Sequence, residues 1–300
     1  MVRIDGYTEV VGLFGYPVKH TLSPPIHNAA YQAMGLNLVY LAFEVEPKGL
    51  EEAIKAALIL HWRGFNLTVP FKEEVLPYLQ EITPKARAVG AVNTIEIQAN
   101  CLKGYNTDGW GFFHSLKDQG VEVTGKKIVI LGAGGAARAI SLELAQRGAA
   151  HIVVANRTFS RARKLAEDFA LQVKDCSFKA IALEEPTLSN NIRETDILIN
   201  ATSVGLHPED PLLINFDILS PPLLVCDLIY FPSETRLLRI AREKGCRTLN
   251  GQGMLVYQGA RAIKIWTGKN PPLNLMHQIL EEEIAKLEKK EPGDVNAGSQ

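Results

Sequence analysis

Short apolar runs alternate with stretches of helical spacing along most of the chain. EVVGLFGY reads as a strand. SPPIHNAAYQAMG follows with helix punctuation: Ser23 in the N-cap position, prolines in the first turn and a closing glycine. LVYLAFEV predicts a second strand, GLEEAIKAALILHW a second helix and FNLTVP a third strand. This βαβαβ order implies a mostly parallel sheet covered on both faces. FKEEVLPYLQ comes next, and NTIEIQANCLKGYN reads as two short strands around a turn. A second alternation then begins. KKIVILGAG, HIVVANR, KAIAL, DILINATS, LLVCDLIY and RTLNGQG carry strand patterns, and AARAISLELAQRG, SRARKLAEDFA and SETRLLRIAREKG lie between them as helices. GMLVYQGARAIKIW and NLMHQILEEEIAKLEKK close the pattern as two more helices. No repeat of fixed period occurs. The expectation is α/β, with two domains that meet near Asp108 and Gly251. One comprises residues 1–107 and 251–290, the other 108–250, and 291–300 form a polar, flexible tail.

Composition narrows the class. Three hundred residues suit two domains of roughly 150 each. A content of 46% hydrophobic and 22% charged residues can fill ordinary cores. A net charge of -1 gives no reason to expect nucleic acid or an anionic membrane as partner. The four cysteines are scattered without a CxxC pair, which fits reduced thiols. The N-terminal stretch has no apolar core of the export type, and no run is long enough to span a bilayer. A cytoplasmic protein is expected. The seven histidines include no HExxH, and carboxylates do not cluster, so no metal site is expected. No GxSxG elbow is present.

The clearest single motif opens the second alternation. KKIVILGAGGAARA runs a buried strand into Gly132-x-Gly134-x-x-Ala137 and then a helix. Gly132 permits the tight turn, and Gly134 lets a pyrophosphate approach the backbone. Ala137 keeps helix and strand close, and the helix N-terminus faces the phosphates. Gly135 and Ala136 belong to the same turn. A plain strand–helix turn is the alternative, but the flanking strand and helix favour a dinucleotide. The following strand ends about 24 residues after Gly132, where NAD binders place an acidic residue. Here stand Asn156, Arg157 and Thr158, with Arg161 one turn later. A guanidinium at that place grips a 2′-phosphate that a carboxylate would repel, so NADP is favoured over NAD. Arg163 and Lys164 read as solvent-facing charges.

The first domain holds polar groups at strand ends. Thr21 and Ser23 precede a helix, where hydroxyls beside free N–H groups bind a carboxylate or simply cap the helix. Asn66, Thr68 and Lys72 lie in NLTVPFK, Asn93 in GAVNT, and Thr107 and Asp108 in GYNTDGWG. Taken singly, Asn93 and Asp108 read as turn formers.

In order along the chain, GYPVKHTLSPPIHN, GFNLTVPFKEEV, GAVNT, GYNTDGWG, LGAGGAARA, ANRTFSRA, NATSVG, DLIY and GQGMLVYQGA resemble the shikimate dehydrogenase family, over nearly the whole length. The resemblance implies a substrate domain, a Rossmann-type NADP domain, and a chain that returns to the first domain after the second. It implies NADPH-dependent, reversible reduction of 3-dehydroshikimate to shikimate on the route to chorismate and the aromatic amino acids. Lys72 and Asp108 match the family's paired lysine and aspartate. Lys72 is expected to be the main acid/base, with Asp108 as orienter and co-participant. Desolvation disfavours an ammonium and a neighbouring carboxylate favours it, and the sequence does not weigh the two. Thr21 and Ser23 match hydroxyls that bind the substrate carboxylate, with Tyr230 nearby. Asn66, Thr68, Asn93 and Gln258 match further substrate contacts. Gly251 and Gly253 match a turn with nicotinamide contacts, and Thr202 and Ser203 the mouth of the cofactor cleft. Thr21 departs from the serine common in shikimate-specific members, which leaves quinate open as a second substrate. A homodimer is compatible with the family. Glycines flank both crossings between the domains, so hinge closure over the cofactor is expected.

Overall fold

Each of the two alternating stretches builds its own six-stranded sheet. The computed structural model describes residues 4–207 and 209–289; the expected tail at 291–300 lies outside the described residues. The first sheet collects β1 (Glu9–Gly15), β2 (Leu38–Glu44), β3 (Gly64–Leu67), β4 (Glu81–Ile82), β5 (Thr94–Gln98) and β6 (Cys101–Tyr105). Their connections hold α1 (Ser23–Ala33), α2 (Leu50–Ile59), α3 (Phe71–Glu74) and α4 (Pro84–Val89). The strand order is β2-β1-β3-β5-β6-β4. β1 pairs in parallel with β2 and β3, and β4 with β6, while β5 runs antiparallel to both neighbours.

The period of two along β1 sorts its side chains between two cores. Val11 and Leu13 face Ile26 and Tyr31 of α1 and the C-terminal helices. Phe14 faces the other way, toward Ile54 of α2 and Phe71 of α3.

From Asp108 the chain leaves this sheet on α5 (Asp108–Asp118). The second sheet follows: β7 (Lys127–Leu131), α6 (Gly135–Gln146), β8 (His151–Asn156), α7 (Phe159–Gln172), β9 (Ser177–Ala182), α8 (Thr187–Arg193), β10 (Ile197–Asn200), β11 (Leu224–Asp227), α9 (Arg236–Glu243) and β12 (Arg247–Leu249). The order is β12-β11-β10-β7-β8-β9, and every pairing is parallel. Parallel strands buried on both faces read as continuous apolar runs, which KIVIL and LVC are. The direction of winding reverses between β7 and β10, and ligands bind outside strand C-termini at such a switch.

Two helices, α10 (Gln252–Thr267) and α11 (Leu273–Glu288), return to the first sheet. Val256, Ile263 and Trp266 of α10 and Leu280 of α11 enter the core with Val11. Among the described residues, no helix is long and apolar enough to cross a membrane. β4, α4 and α8 are absent from the sequence reading because two to seven residues are too few to show a period.

At the crossings, the glycines serve close approach between helices, not loose linkage. A Cβ at Gly111 of α5 would lie 2.8 Å from the Gln258 nitrogen of α10, and one at Gly253 would lie 2.8 Å from Ser115 Cβ. Gly253, expected at a nicotinamide turn, also serves helix packing. Gly251 abuts the Leu228 carbonyl so closely that no side chain fits.

His27 of α1 gives this core a pH dependence. Its ring is fully buried, stacks on Tyr40 at 4.0 Å and donates from Nδ1 to the Ser23 carbonyl at 2.8 Å. Burial pushes the imidazole down to about 4, against the opposing pull of that bond. The unfolded ring titrates near 6.5, so the unfolded chain accepts a proton that the folded one refuses. The stabilisation is complete above about pH 6.5 and is lost as pH falls toward about 4, on the order of 3 kcal/mol over that window. Urea unfolding at pH 7 and pH 4.5 should show a smaller difference in His27→Phe than in the wild type; equal differences would refute this account.

Candidate active site

The polar residues singled out in the first domain gather at the C-terminal ends of β1 and β3. Lys72 sits in the short helix α3, held from below by the fully buried Phe71 and Val75. Its carbonyl accepts from Val92 N at 2.8 Å, which fixes the backbone under the amine. Its Nζ lies 2.6 Å from Asp108 Oδ2. The lysine side chain is 16% exposed and the aspartate 4%.

Asp108 is the first residue of α5, where free N–H groups and the helix dipole favour an anion. Its second oxygen accepts from Asn93 Nδ2 at 2.7 Å. Asn93 also donates to Thr107 Oγ1 at 2.9 Å and accepts from Thr107 N at 2.9 Å. A buried ion pair repays its desolvation only when the remaining lone pairs and protons are also satisfied. Asn93 supplies that satisfaction here.

A second chain of bonds runs beside it. Tyr40 Oη donates to Asn66 Oδ1 at 2.8 Å, and Asn66 Nδ2 donates to the Asn93 carbonyl at 3.0 Å and to Thr94 Oγ1 at 2.9 Å. The Ser23 hydroxyl meets Tyr40, whose phenol burial pushes far above its ordinary range. Tyr40 thus stands between Ser23 and Asn66, bonded to the latter. The sequence reading missed that tyrosine, because an aromatic at an inward strand position reads as core.

The expected N-cap at Ser23 is not formed. α1 begins at Ser23 itself after Leu22, with no side-chain cap. Pro24 and Pro25 carry no N–H, so the first turn offers little for a cap to satisfy. Thr21 Oγ1 instead accepts from Ser23 N at 3.2 Å. Tyr230 stands beside Thr21 and the Leu22 backbone, and burial raises its phenol, which therefore keeps its proton. Thr68 follows β3, and its methyl group packs against Gly15. Gln258 lies on α10, where its amide donates to the Leu255 carbonyl at 2.9 Å.

The glycine turn lies directly opposite. Gly132 has φ +107°, in the region that favours glycine, and a Cβ there would stand 3.0 Å from the Ala201 carbonyl. Around Gly134, by contrast, a Cβ would meet open space. Gly134 precedes α6, so the turn presents a helix N-terminus. A Cβ on Gly135 would lie 3.3 Å from Lys72 Cβ and Cδ. The glycine turn of the second sheet and the lysine of the first therefore approach each other closely. Ala136, next in the helix, is half-buried.

Thr202 is held by Asn200, whose Oδ1 accepts from its N–H at 3.1 Å and from its hydroxyl at 2.7 Å. Asn200 donates in turn to Asp227 at 3.0 Å, a carboxyl raised by burial. Ser203 follows, exposed. At the end of β8, Asn156 Nδ2 donates to the Thr158 carbonyl at 2.9 Å. Arg157 and Thr158 are exposed. Arg161 points to Glu73 of α3, and Arg163 pairs within its helix with Glu167 at 3.7 Å.

Comparison with known proteins agrees with this arrangement. Residues 13–95 match the model of the shikimate dehydrogenase substrate binding domain. Residues 115–207 match shikimate / quinate 5-dehydrogenase, and 251–281 the shikimate 5′-dehydrogenase C-terminal domain. The chain is 44% identical over 280 residues to the shikimate dehydrogenase (NADP(+)) of Alkaliphilus metalliredigens, covering 93% of this chain and 98% of that protein. The chain belongs to the shikimate dehydrogenase family. Its fold matches that of shikimate 5-dehydrogenase from Listeria monocytogenes, solved with shikimate and NAD, at a TM-score of 0.85. The identity is 42%, over 93% of this chain and 98% of that one. The ligand-free 5-ketofructose reductase of a Gluconobacter species is similar too, at 39% identity and a TM-score of 0.81, covering 93% and 100%. The family architecture of two α/β domains is the one described above.

Asn93 is the residue on which this polar cluster can be tested without substrate. Asn93→Ala leaves the buried Thr107 N–H unpaired and removes one partner of Asp108. A buried group left unsatisfied costs about 1–3 kcal/mol. Chemical denaturation should show a loss of that size, and a variant as stable as the wild type would contradict the network.

Proposed function

We propose that this chain catalyses the reversible, NADPH-dependent reduction of 3-dehydroshikimate to shikimate, in the biosynthesis of chorismate and the aromatic amino acids. The observation that carries this reading is the Lys72–Asp108 pair in contact with the nucleotide turn at Gly135. NADPH, when bound, supplies the hydride. Lys72 gives its proton to the substrate oxygen in reduction and takes it back in oxidation. Asp108, held by Asn93, orients the amine and a substrate hydroxyl. Thr21 and Ser23 donate to the substrate carboxylate, with Tyr230 beside them. Asn66, Thr68, Asn93 and Gln258 line the rest of the ring site.

Gly132, Gly134, Gly135 and Ala136 receive the pyrophosphate on the N-terminus of α6. Asn156, Arg157, Thr158 and Arg161 take the adenosine ribose and its 2′-phosphate. Thr202, Ser203 and Gly251 border the nicotinamide. Residues 1–107 and 251–290 act as the substrate unit and 108–250 as the cofactor unit. We further infer a cytoplasmic enzyme and assembly as a homodimer, the latter testable by sedimentation.

An absorbance assay at the nicotinamide band decides the activity. Shikimate with NADP should outpace quinate, 5-ketofructose and every pairing with NAD; no shikimate turnover would end the proposal. General acid–base groups contribute about 10² to 10⁴ in rate. Lys72→Ala should therefore lower kcat at least about a hundredfold and disturb the shikimate KM less. Near-normal turnover would remove Lys72 from the proton transfer.

Cofactor choice follows from Arg157. A hydrogen bond to a charged group is worth about 1.5–3 kcal/mol, which favours NADP by roughly 10- to 150-fold. Arg157→Ala should weaken NADP by that order and leave NAD nearly unchanged. Equal losses for both cofactors would show that Arg157 does not read the 2′-phosphate.

A further inference from the structure

One ion pair joins the catalytic helix directly to the cofactor's specificity motif. Arg161, in the first turn of α7, reaches across the cleft to α3, with Nη2 3.4 Å from Glu73 Oε1. Glu73 is the residue after Lys72. The arginine side chain is 58% exposed and the glutamate 43%, so both are open to an incoming anion. Arg157 is also exposed, yet it makes no ion pair or hydrogen bond among the described residues. The two arginines assigned above to the 2′-phosphate are therefore not equivalent. One is free, and the other already has a counter-ion.

Other ties between the two halves of the chain do not share this character. Arg138 of α6 donates to the Val89 carbonyl at 2.6 Å and pairs with Asp168, and Lys85 pairs with the buried Glu143. None of these involves a residue of the glycine turn or of the Asn156–Arg161 stretch.

We propose that Glu73 is a specificity-determining residue for the cofactor, opposing NADP by holding the Arg161 guanidinium that the 2′-phosphate must take. This rests on the assignment of Arg161 to that phosphate above. A dianionic phosphate and a carboxylate on the same guanidinium repel each other, so binding of NADP displaces Glu73. NAD carries a hydroxyl there and makes no such demand, and the ion pair survives its binding. The preference for NADP is thus the gain from Arg157 and Arg161 less the cost of displacing Glu73. Displacement also unties α3 from α7, so the NADP and NAD complexes differ in what connects the two sides of the cleft.

Titration of the purified full-length protein with NADP and with NAD, at low ionic strength, tests this. Glu73→Gln keeps the shape and removes the charge. NADP should bind about 1.5- to 5-fold more tightly, the range set by the worth of an exposed ion pair, and NAD should be unchanged. The gain should shrink in high salt, which screens exposed charges. In an Arg161→Ala background, Glu73→Gln should change neither cofactor. Unchanged or weaker NADP binding in Glu73→Gln, or equal shifts for both cofactors, would overturn the role of Glu73. If Arg161→Ala alone leaves NADP binding intact, the assignment of Arg161 to the 2′-phosphate falls and the proposal falls with it. If Arg161→Ala weakens NADP but Glu73→Gln does nothing, only the role of Glu73 is lost.

Discussion

A lysine and an aspartate 2.6 Å apart, nearly sealed from water, constrain everything around them. Such a pair is stable only if its geometry is held and its spare hydrogen-bonding capacity is filled. Three separate pieces of backbone meet that demand: the exit of β3, the start of β5 and the N-terminus of α5. Asn93 connects them: its side chain bonds Thr94, Thr107 and Asp108, and its carbonyl accepts from Leu67 N and Asn66 Nδ2. The mixed pairing of the first sheet follows from this need. Antiparallel β5 brings Asn93 beside Asn66, a place that another parallel strand with its crossover helix would not reach as directly.

Much of this was legible in the chain. Long apolar runs bounded by glycine gave β1, β2, β7 and β8, and the flanking strand and helix gave the glycine turn its place at the end of β7. The order of motifs gave the family, which the comparisons then established. What stayed hidden depends on tertiary contact. Tyr40 looks like core until its hydroxyl is seen between Ser23 and Asn66. Glu73 looks like a surface charge until α7 is laid across the cleft. Ser23 reads as a cap because Ser before a helix usually is one, and only the two prolines behind it argue otherwise.

The cofactor side shows a parallel economy of polar groups. Asn200, Asp227 and Thr235 form a buried chain at the ends of β10 and β11. Asp227 Oδ1 also accepts from Ile229 N at 3.1 Å, and Ile229 O accepts from Gly251 N at 3.0 Å. A single carboxyl thereby connects the loop at Thr202, the segment leading to Tyr230 and the crossing at Gly251. The residues proposed to border the nicotinamide and the substrate carboxylate share one internal support.

The close meeting of α5 and α10 bears on how the two halves can move. A soft linker allows sliding, twisting and separation alike. Here Gly111 and Gly253 seat each helix against the other's backbone, and Phe112, Leu116 and Met254 pack into the same core as Ile128. Separation along that contact would expose well-packed surface, whereas a small rocking about it would not. The packing of this helix pair thus resists separation more than rocking. Any rocking about it would displace the outer rim of the cleft more than the Lys72–Asp108 pair, whose aspartate begins α5.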